Sequence, residues 1–142
     1  GGAEGMNEIL LQMSELGIVQ FLNNNKAVAL HNDFYVVPLL KVFVSICDLE
    51  GLVELLKPIS TRVVLFGSRA SGKCRTDSDY DLLVVAEGKE QVEKIVSGHP
   101  LGKRVELVLV SSDEFFRLDT RDPHLAKKVA SGVLLHGTTS DW

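Results

Sequence analysis

Three short apolar runs set the strongest limit on what this chain can fold into: Arg62 to Phe66, Asp79 to Ala86 and Arg104 to Val110. Each is strand-sized, rich in Val and Leu, and bounded by residues that favour turns. Gly67-Ser68 cuts the first run, Asp77-Ser78 leads into the second, and Ser111-Ser112-Asp113 follows the third as a helix start. Between the second and third runs, Lys89 to Ser97 places Val92, Ile95 and Val96 at helical spacing. A short helix is expected near Ser68 to Gly72. A last helix is expected over Pro123 to Ser131, stopped by Gly132, and Val133 to His136 can close the chain as a short strand. Strands alternating with helices predict an α/β chain, a sheet with helices packed on it.

The first part of the chain reads differently. Asn7 to Leu16 is predicted helical, with Asn7 as N-cap and Gly17 as stop. The runs Ile18 to Leu22 and Lys26 to Leu30 flank Asn23-Asn24-Asn25, a hairpin signal because Asn tolerates positive φ. A long apolar helix follows, from Val36 or Pro38 to Leu56, with Pro38 in its first turn, Pro58 at its end and Gly51 as a point where it can break. The division is placed at Lys57-Pro58, giving a helix–hairpin–helix region (1–58) and an α/β region (59–142).

Charge separates the two regions. The net charge is −4, and the first region carries all of it, with three lysines against seven acids. At 45% hydrophobic and 24% charged residues the chain has a soluble globular composition. No apolar run reaches the ~18 residues of a membrane span. No cationic, then apolar, secretory leader opens the chain, so the expected location is cytoplasmic; Gly1 to Gly5 read as an added leader before a natural start at Met6. Cys47 and Cys74 form no C-x-x-C pair and are expected as reduced thiols. The four histidines lack metal-binding spacing.

Chemistry concentrates in one stretch, Gly67-Ser68-Arg69-Ala70-Ser71-Gly72 followed by Asp77-Ser78-Asp79-Tyr80-Asp81-Leu82-Leu83-Val84. Alternation along a strand puts the Asp79 and Asp81 carboxylates on one face and Tyr80, Leu82 and Val84 on the other. Two like charges side by side are unfavourable unless a cation lies between them, and hard divalent cations take oxygen ligands from carboxylates and substrate phosphates. Glu106 is the only acid of the third run. A carboxylate inside a buried strand is costly unless paired or metal-bound, so Glu106 is expected to join the same site if the two strands are neighbours. Gly67-Ser68 sits at a strand-to-helix turn, where glycine permits close backbone approach and free N–H groups attract anions. Together these features describe metal-assisted phosphoryl or nucleotidyl transfer. A lone D-x-D is more often a solvated strand edge, and a lone Gly-Ser more often a plain turn; the combination with a third strand acid carries the reading.

That combination resembles the signature of minimal nucleotidyltransferase domains of the DNA polymerase beta nucleotidyltransferase superfamily. The resemblance covers roughly Ile59 to Gly137, and Pro123 to Gly137 is similar to the closing helix of that family. It implies a small mixed sheet flanked by helices, the nucleotidyltransferase fold. It implies that Gly67 and Ser68 hold a triphosphate, with Arg69 a further candidate phosphate contact. It implies that Asp79 and Asp81 bind two Mg2+ ions with Glu106 as third carboxylate, metal ligand or general base. Glu106 departs from the Asp common in small members by one methylene, and Lys73-Cys74-Arg75 fills a segment often richer in Glu or Ala. The implied reaction moves a nucleoside monophosphate, AMP from ATP, to an acceptor hydroxyl. Small members are often antitoxins that modify a HEPN-type toxin, so a protein hydroxyl is the expected acceptor.

The first region is similar to the back half of a winged helix, without its front helices. DNA binders need phosphate-neutralising bases, and the acidic balance argues against DNA contact. The region is therefore expected to serve packing or homodimerisation, with the apolar helix from Val36 to Leu56 as the self-association face. Two other readings stand beside the enzyme. One is a winged-helix regulator or antitoxin whose nucleotidyltransferase domain binds nucleotide or partner without turnover. The other is a purely structural toxin partner.

Overall fold

A computed structural model describes residues 11–16, 19–22, 27–30 and 35–138. The expected caps at Asn7 and Gly17 and the Asn23-Asn24-Asn25 turn lie outside the described residues. Two compact units are formed, 1–40 and 41–142.

In the first unit a helical segment (α1) covers 11–15. Strands β1 (Val19–Leu22) and β2 (Ala27–Leu30) pair antiparallel, Leu22 opposite Ala27, so the expected hairpin is present. Val37 is buried, with Met13, Val36 and Leu40 packed against it.

Helix α2 runs unbroken from Val37 to Leu56. Pro38 lies in its first turn, as expected. A single 3-10 turn over Lys57–Ile59 takes up Pro58. Gly51 does not break the helix. A mid-helix glycine costs about 1 kcal/mol relative to Ala, whereas the neighbouring Leu49, Leu52, Val53 and Leu56 are all buried, each worth about 1.5–3 kcal/mol. These four residues belong to the core under the sheet, and the boundary between the two compact units lies within α2.

The second unit is an α/β layered structure. Strands β3 (Arg62–Phe66), β4 (Tyr80–Val85), β5 (Val105–Val110) and β6 (Val133–His136) form one sheet in the order β5-β4-β3-β6. β4 and β5 are parallel, while β3 is antiparallel to both β4 and β6. The sheet is therefore mixed, as the resemblance implied. Helix α3 (Ser68–Ser71) follows β3, α4 (Lys89–Gly98) joins β4 to β5, and α5 (Ser112–Phe116), α6 (Leu118–Arg121) and α7 (Pro123–Ala130) lead to β6. Ser111 caps α5 in a capping box with Glu114, which matches the helix start read at Ser111-Ser112-Asp113.

Alternation along the strands makes two cores. Val63, Leu65, Tyr80, Leu82 and Val84 face α2 and α4, packing with Leu49, Leu52, Val92 and Val96. Val64, Phe66, Leu83, Val85 and Val110 face the other way and pack with Val129, Phe115, Leu118 and Leu125 of α5–α7. Among the described residues no helix is long and apolar enough to cross a membrane. Cys47 is exposed, Cys74 is buried, and neither is in a disulfide.

Candidate active site

The end of β3 and the starts of β4 and β5 meet at one edge of the sheet. Phe66 pairs with Asp81, and Asp81 stands directly beside Glu106 in the parallel register. Register neighbours project to the same face, so the Asp81 and Glu106 side chains leave the sheet on the side that α7 covers further along. Asp79 immediately precedes β4. The register thus places Glu106 of β5 beside Asp81 of β4.

The environments of the three acids differ. Asp81 is half-buried, whereas Asp79 and Glu106 are exposed. The sequence leads one to expect Glu106 buried, but β5 is an edge strand of the sheet, paired on one side only among the described residues. The Asp81 carboxyl is held above the usual carboxylate range, first by burial, then by the negative charges of Glu106 and Asp79, with Lys128 alone opposing. The Asp81 carboxylate accepts no hydrogen bond from another described residue.

These groups suit a divalent cation in chemistry: all are hard oxygen donors, and the repulsion that raises Asp81 is what a bound cation would remove. They are not preassembled into a ligand set. Among the described residues no group of three or more His, Cys, Asp or Glu side chains stands close enough to hold a metal ion as positioned.

Gly67 lies directly against Asp81. Its φ of 74° and ψ of −154° fall in a region open essentially to glycine alone. A Cβ there would lie 2.1 Å from Asp81 Oδ2. The turn thus brings bare backbone against the carboxylate, and α3 begins at once with Ser68. Phe66, Gly67, Ala70, Ser71 and Asp81, with Lys128 and Ser131 from the end of α7, line a cleft of about 360 Å3. Ser68 stands next to this lining without being part of it. A larger cavity of about 610 Å3 opens near Arg62, Val85 and Phe115, at the other end of the strands, and is lined by none of the candidate site residues Gly67, Ser68, Arg69, Asp79, Asp81 and Glu106. The carboxylates and the glycine turn, not cavity size, locate the site.

Arg69 does not reach the cleft. It is only 6% exposed and stacks on the Tyr80 ring at 4.2 Å. Its Nε and Nη2 donate to the Ser78 carbonyl at 3.2 and 2.8 Å, Nη2 also to Thr76 O at 3.3 Å, and Nη1 to Ser45 Oγ at 3.4 Å. The expected phosphate contact is replaced by a clamp on the segment that carries Asp79. Arg104 Nη2 donates to the same two carbonyls, and Lys41 Nζ donates to Cys74 O at 3.1 Å. Tyr80 is itself pinned by its hydroxyl, which donates to Asp48 Oδ2 at 2.8 Å; burial first, then that bond, raises its pKa.

The sequence reading missed Lys128, Arg104 and Ser45. Lys128 carried only the signal of a base in the last turn of a helix, the ordinary complement to a helix dipole. Arg104 showed only as the head of a strand, and Ser45 as one small polar residue in an apolar helix.

The family model described as nucleotidyltransferase domain matches residues 47–130, more than half of the chain. The chain belongs to the nucleotidyltransferase domain family. No curated protein sequence matches it. Three solved structures are similar. One is a toxin–antitoxin with AMP-PNP, at 22% identity and TM-score 0.45, covering 65% of this chain and 75% of that one. Another is a nucleotidyltransferase from Sulfolobus solfataricus, at 20% identity and TM-score 0.39, covering 69% and 81%. The third is a mutant of the toxin–antitoxin pair MntA–HpeT, at 18% identity and TM-score 0.43, covering 68% and 76%. The family assignment rests on the match over 47–130, which runs from the second half of α2 to the end of α7 and contains Gly67, Ser68, Arg69, Asp79, Asp81, Glu106 and Lys128.

Proposed function

We propose that this nucleotidyltransferase transfers a nucleoside monophosphate, AMP from ATP, to an acceptor hydroxyl with the help of divalent cations, Mg2+ by preference. The single observation that carries the reading is the register of β4 on β5, which sets Asp81 beside Glu106 at the sheet edge where Gly67 opens a cleft.

Asp79, Asp81 and Glu106 would hold the cations. Bound there, these would lower the pKa of the acceptor hydroxyl and offset the charge gathering on the leaving pyrophosphate. The chain's own part is positional. The turn at Gly67 exposes backbone to the phosphates, with Ser68 at the head of α3. The Arg69–Arg104 clamp holds the segment before Asp79, so that carboxylate does not have to be ordered during the reaction. In the transfer, the hydroxyl oxygen bonds to the α-phosphorus as the bond from that phosphorus to pyrophosphate breaks. The hydroxyl proton passes to solvent or to Glu106, whose exposed carboxylate is open to an acceptor.

The proposed acceptor is a hydroxyl on a protein partner of HEPN-toxin type, which rests on the resemblance of the Gly67–Gly72 and Ser78–Val84 motifs. The division at Lys57-Pro58, the winged-helix likeness and homodimerisation through α2 remain proposals of the same standing; Phe43, Val44 and Leu55 are exposed on that helix.

The test uses ATP labelled at either the α- or the γ-phosphate, incubated with the protein and Mg2+ in a lysate of its own cells. The reading expects a macromolecule labelled from the α-position only, no labelling with chelator, and none with Asp79→Asn. Labelling from the γ-position, or undiminished labelling by Asp79→Asn, would overturn it.

A further inference from the structure

We infer that Lys128 is the residue that binds the phosphate tail of the nucleotide and makes the cleft select a triphosphate over a monophosphate. This deepens the nucleotidyl-transfer reading and rests on it.

Lys128 stands in the last turn of α7. That turn is drawn onto the sheet by Gly132, where a Cβ would meet the Leu65 carbonyl oxygen at 2.4 Å. As a result Lys128 and Ser131 line the same cleft as Gly67 and Asp81. Lys128 is the one cation among the residues lining it. Among the described residues the Lys128 ammonium makes no hydrogen bond and no ion pair, although it is near enough to act on the Asp81 carboxyl. Arg69 and Arg104 donate to the Thr76 and Ser78 carbonyls, and Lys41 donates to the Cys74 carbonyl. Ser131 is committed too, its hydroxyl donating to the carbonyls of Lys127 and Lys128.

Charge explains why such a residue is needed here. The carboxylates repel a polyanion, and the end of α7 presents carbonyls, the negative end of its dipole. Cations held by the carboxylates would serve the phosphates nearest them. The part of the tail that extends across the cleft has Lys128 as its counter-charge, a point charge on a flexible stem suited to phosphate.

Binding of ATP, ADP and AMP, each with Ca2+ to suppress turnover, is measured by calorimetry for the wild type, Lys128→Ala and Lys128→Arg. Lys128 is exposed, and unchanged thermal unfolding of the variants checks that the fold is intact. The expected result is a loss of ATP affinity of about 10-fold or more in Lys128→Ala, the range of one charge-assisted hydrogen bond. AMP affinity stays unchanged, and Lys128→Arg recovers most of the ATP affinity. An unaltered ratio of ATP to AMP affinity in Lys128→Ala would overturn the inference while leaving nucleotidyl transfer in place. A wild type that binds no nucleotide would instead overturn the nucleotidyl-transfer reading itself.

Discussion

Replacing Gly67 with Ala adds one methyl group and tests the geometry of the site from two directions. The backbone at Gly67 has φ 74° and ψ −154°, a conformation that costs a non-glycine residue about 1–3 kcal/mol. The new Cβ would also lie 2.1 Å from Asp81 Oδ2. That carboxylate ends a rotatable side chain and can turn aside, at about 0.5–1.5 kcal/mol for a strained rotamer, but turning takes it out of the site. Gly67→Ala should therefore destabilise the protein by about 2–4 kcal/mol in urea unfolding, which at roughly 4–8 °C per kcal/mol for a domain near this size is a drop in Tm of about 8 °C or more. Cation-dependent nucleotide binding should fall with it. Gly51→Ala is the matched control: Gly51 is mid-helix, and its new Cβ would find only His99 Nε2, at 3.8 Å. That variant should gain up to about 1 kcal/mol. If Gly67→Ala is as stable as the wild type and binds nucleotide equally well, the close approach of this turn to Asp81 is wrong and the cleft loses its defining wall.

Three further outcomes follow from particular contacts. Asp81 resists ionisation in the folded protein, so its charge costs stability once the pH rises through its folded titration, and costs nothing below the unfolded one. Asp81→Asn should be more stable than the wild type at pH 7, with the difference closing towards pH 3, and inactive at every pH; urea titrations that find it less stable at pH 7 would refute the charge argument. Arg69→Lys should lower stability by about 2 kcal/mol or more, because a lysine cannot serve the Ser78 and Thr76 carbonyls together. If it instead leaves stability unchanged and weakens ATP binding alone, Arg69 is a phosphate ligand after all. The Glu114 carboxyl is pulled down to about 2, mainly by its hydrogen bond from Lys89 and then by those within the capping box. The stability this provides is present above the ordinary titration near 4.5 and is lost as pH falls towards about 2. Unfolding between pH 4.5 and 2 should therefore be steeper in the wild type than in Glu114→Gln, and parallel curves would contradict it.

Much of this site can be read in the sequence because it depends on local rules. The Asp79–Asp81 spacing, the glycine after an apolar strand and the Ser111 cap all act over a few residues. The two-faced strands were visible for the same reason: Tyr80, Leu82 and Val84 go to one core and Leu83 and Val85 to the other. What failed depends on neighbours distant in sequence. Glu106 looked buried among valines and leucines because nothing in the sequence shows that β5 lies at the edge of the sheet. Arg69 looked available to phosphate because its partners, the carbonyls of Thr76 and Ser78, are backbone atoms that leave no trace in residue types. Lys128 is separated from Asp81 by the whole of β5 and the α5–α6 segment, and only the tertiary fold, tightened at Gly132, brings the two to one cleft.

The central claim is that Asp79, Asp81 and Glu106 act as one cation-binding unit beside the nucleotide. It is tested most directly by Mn2+ titration followed by electron paramagnetic resonance, with protein in excess and an ATP analogue that cannot be cleaved between the α- and β-phosphates. Saturable Mn2+ binding by the wild type, lost in Asp79→Asn and Asp81→Asn and weakened in Glu106→Gln, is the predicted result. Mn2+ bound equally well by all four proteins would contradict the account.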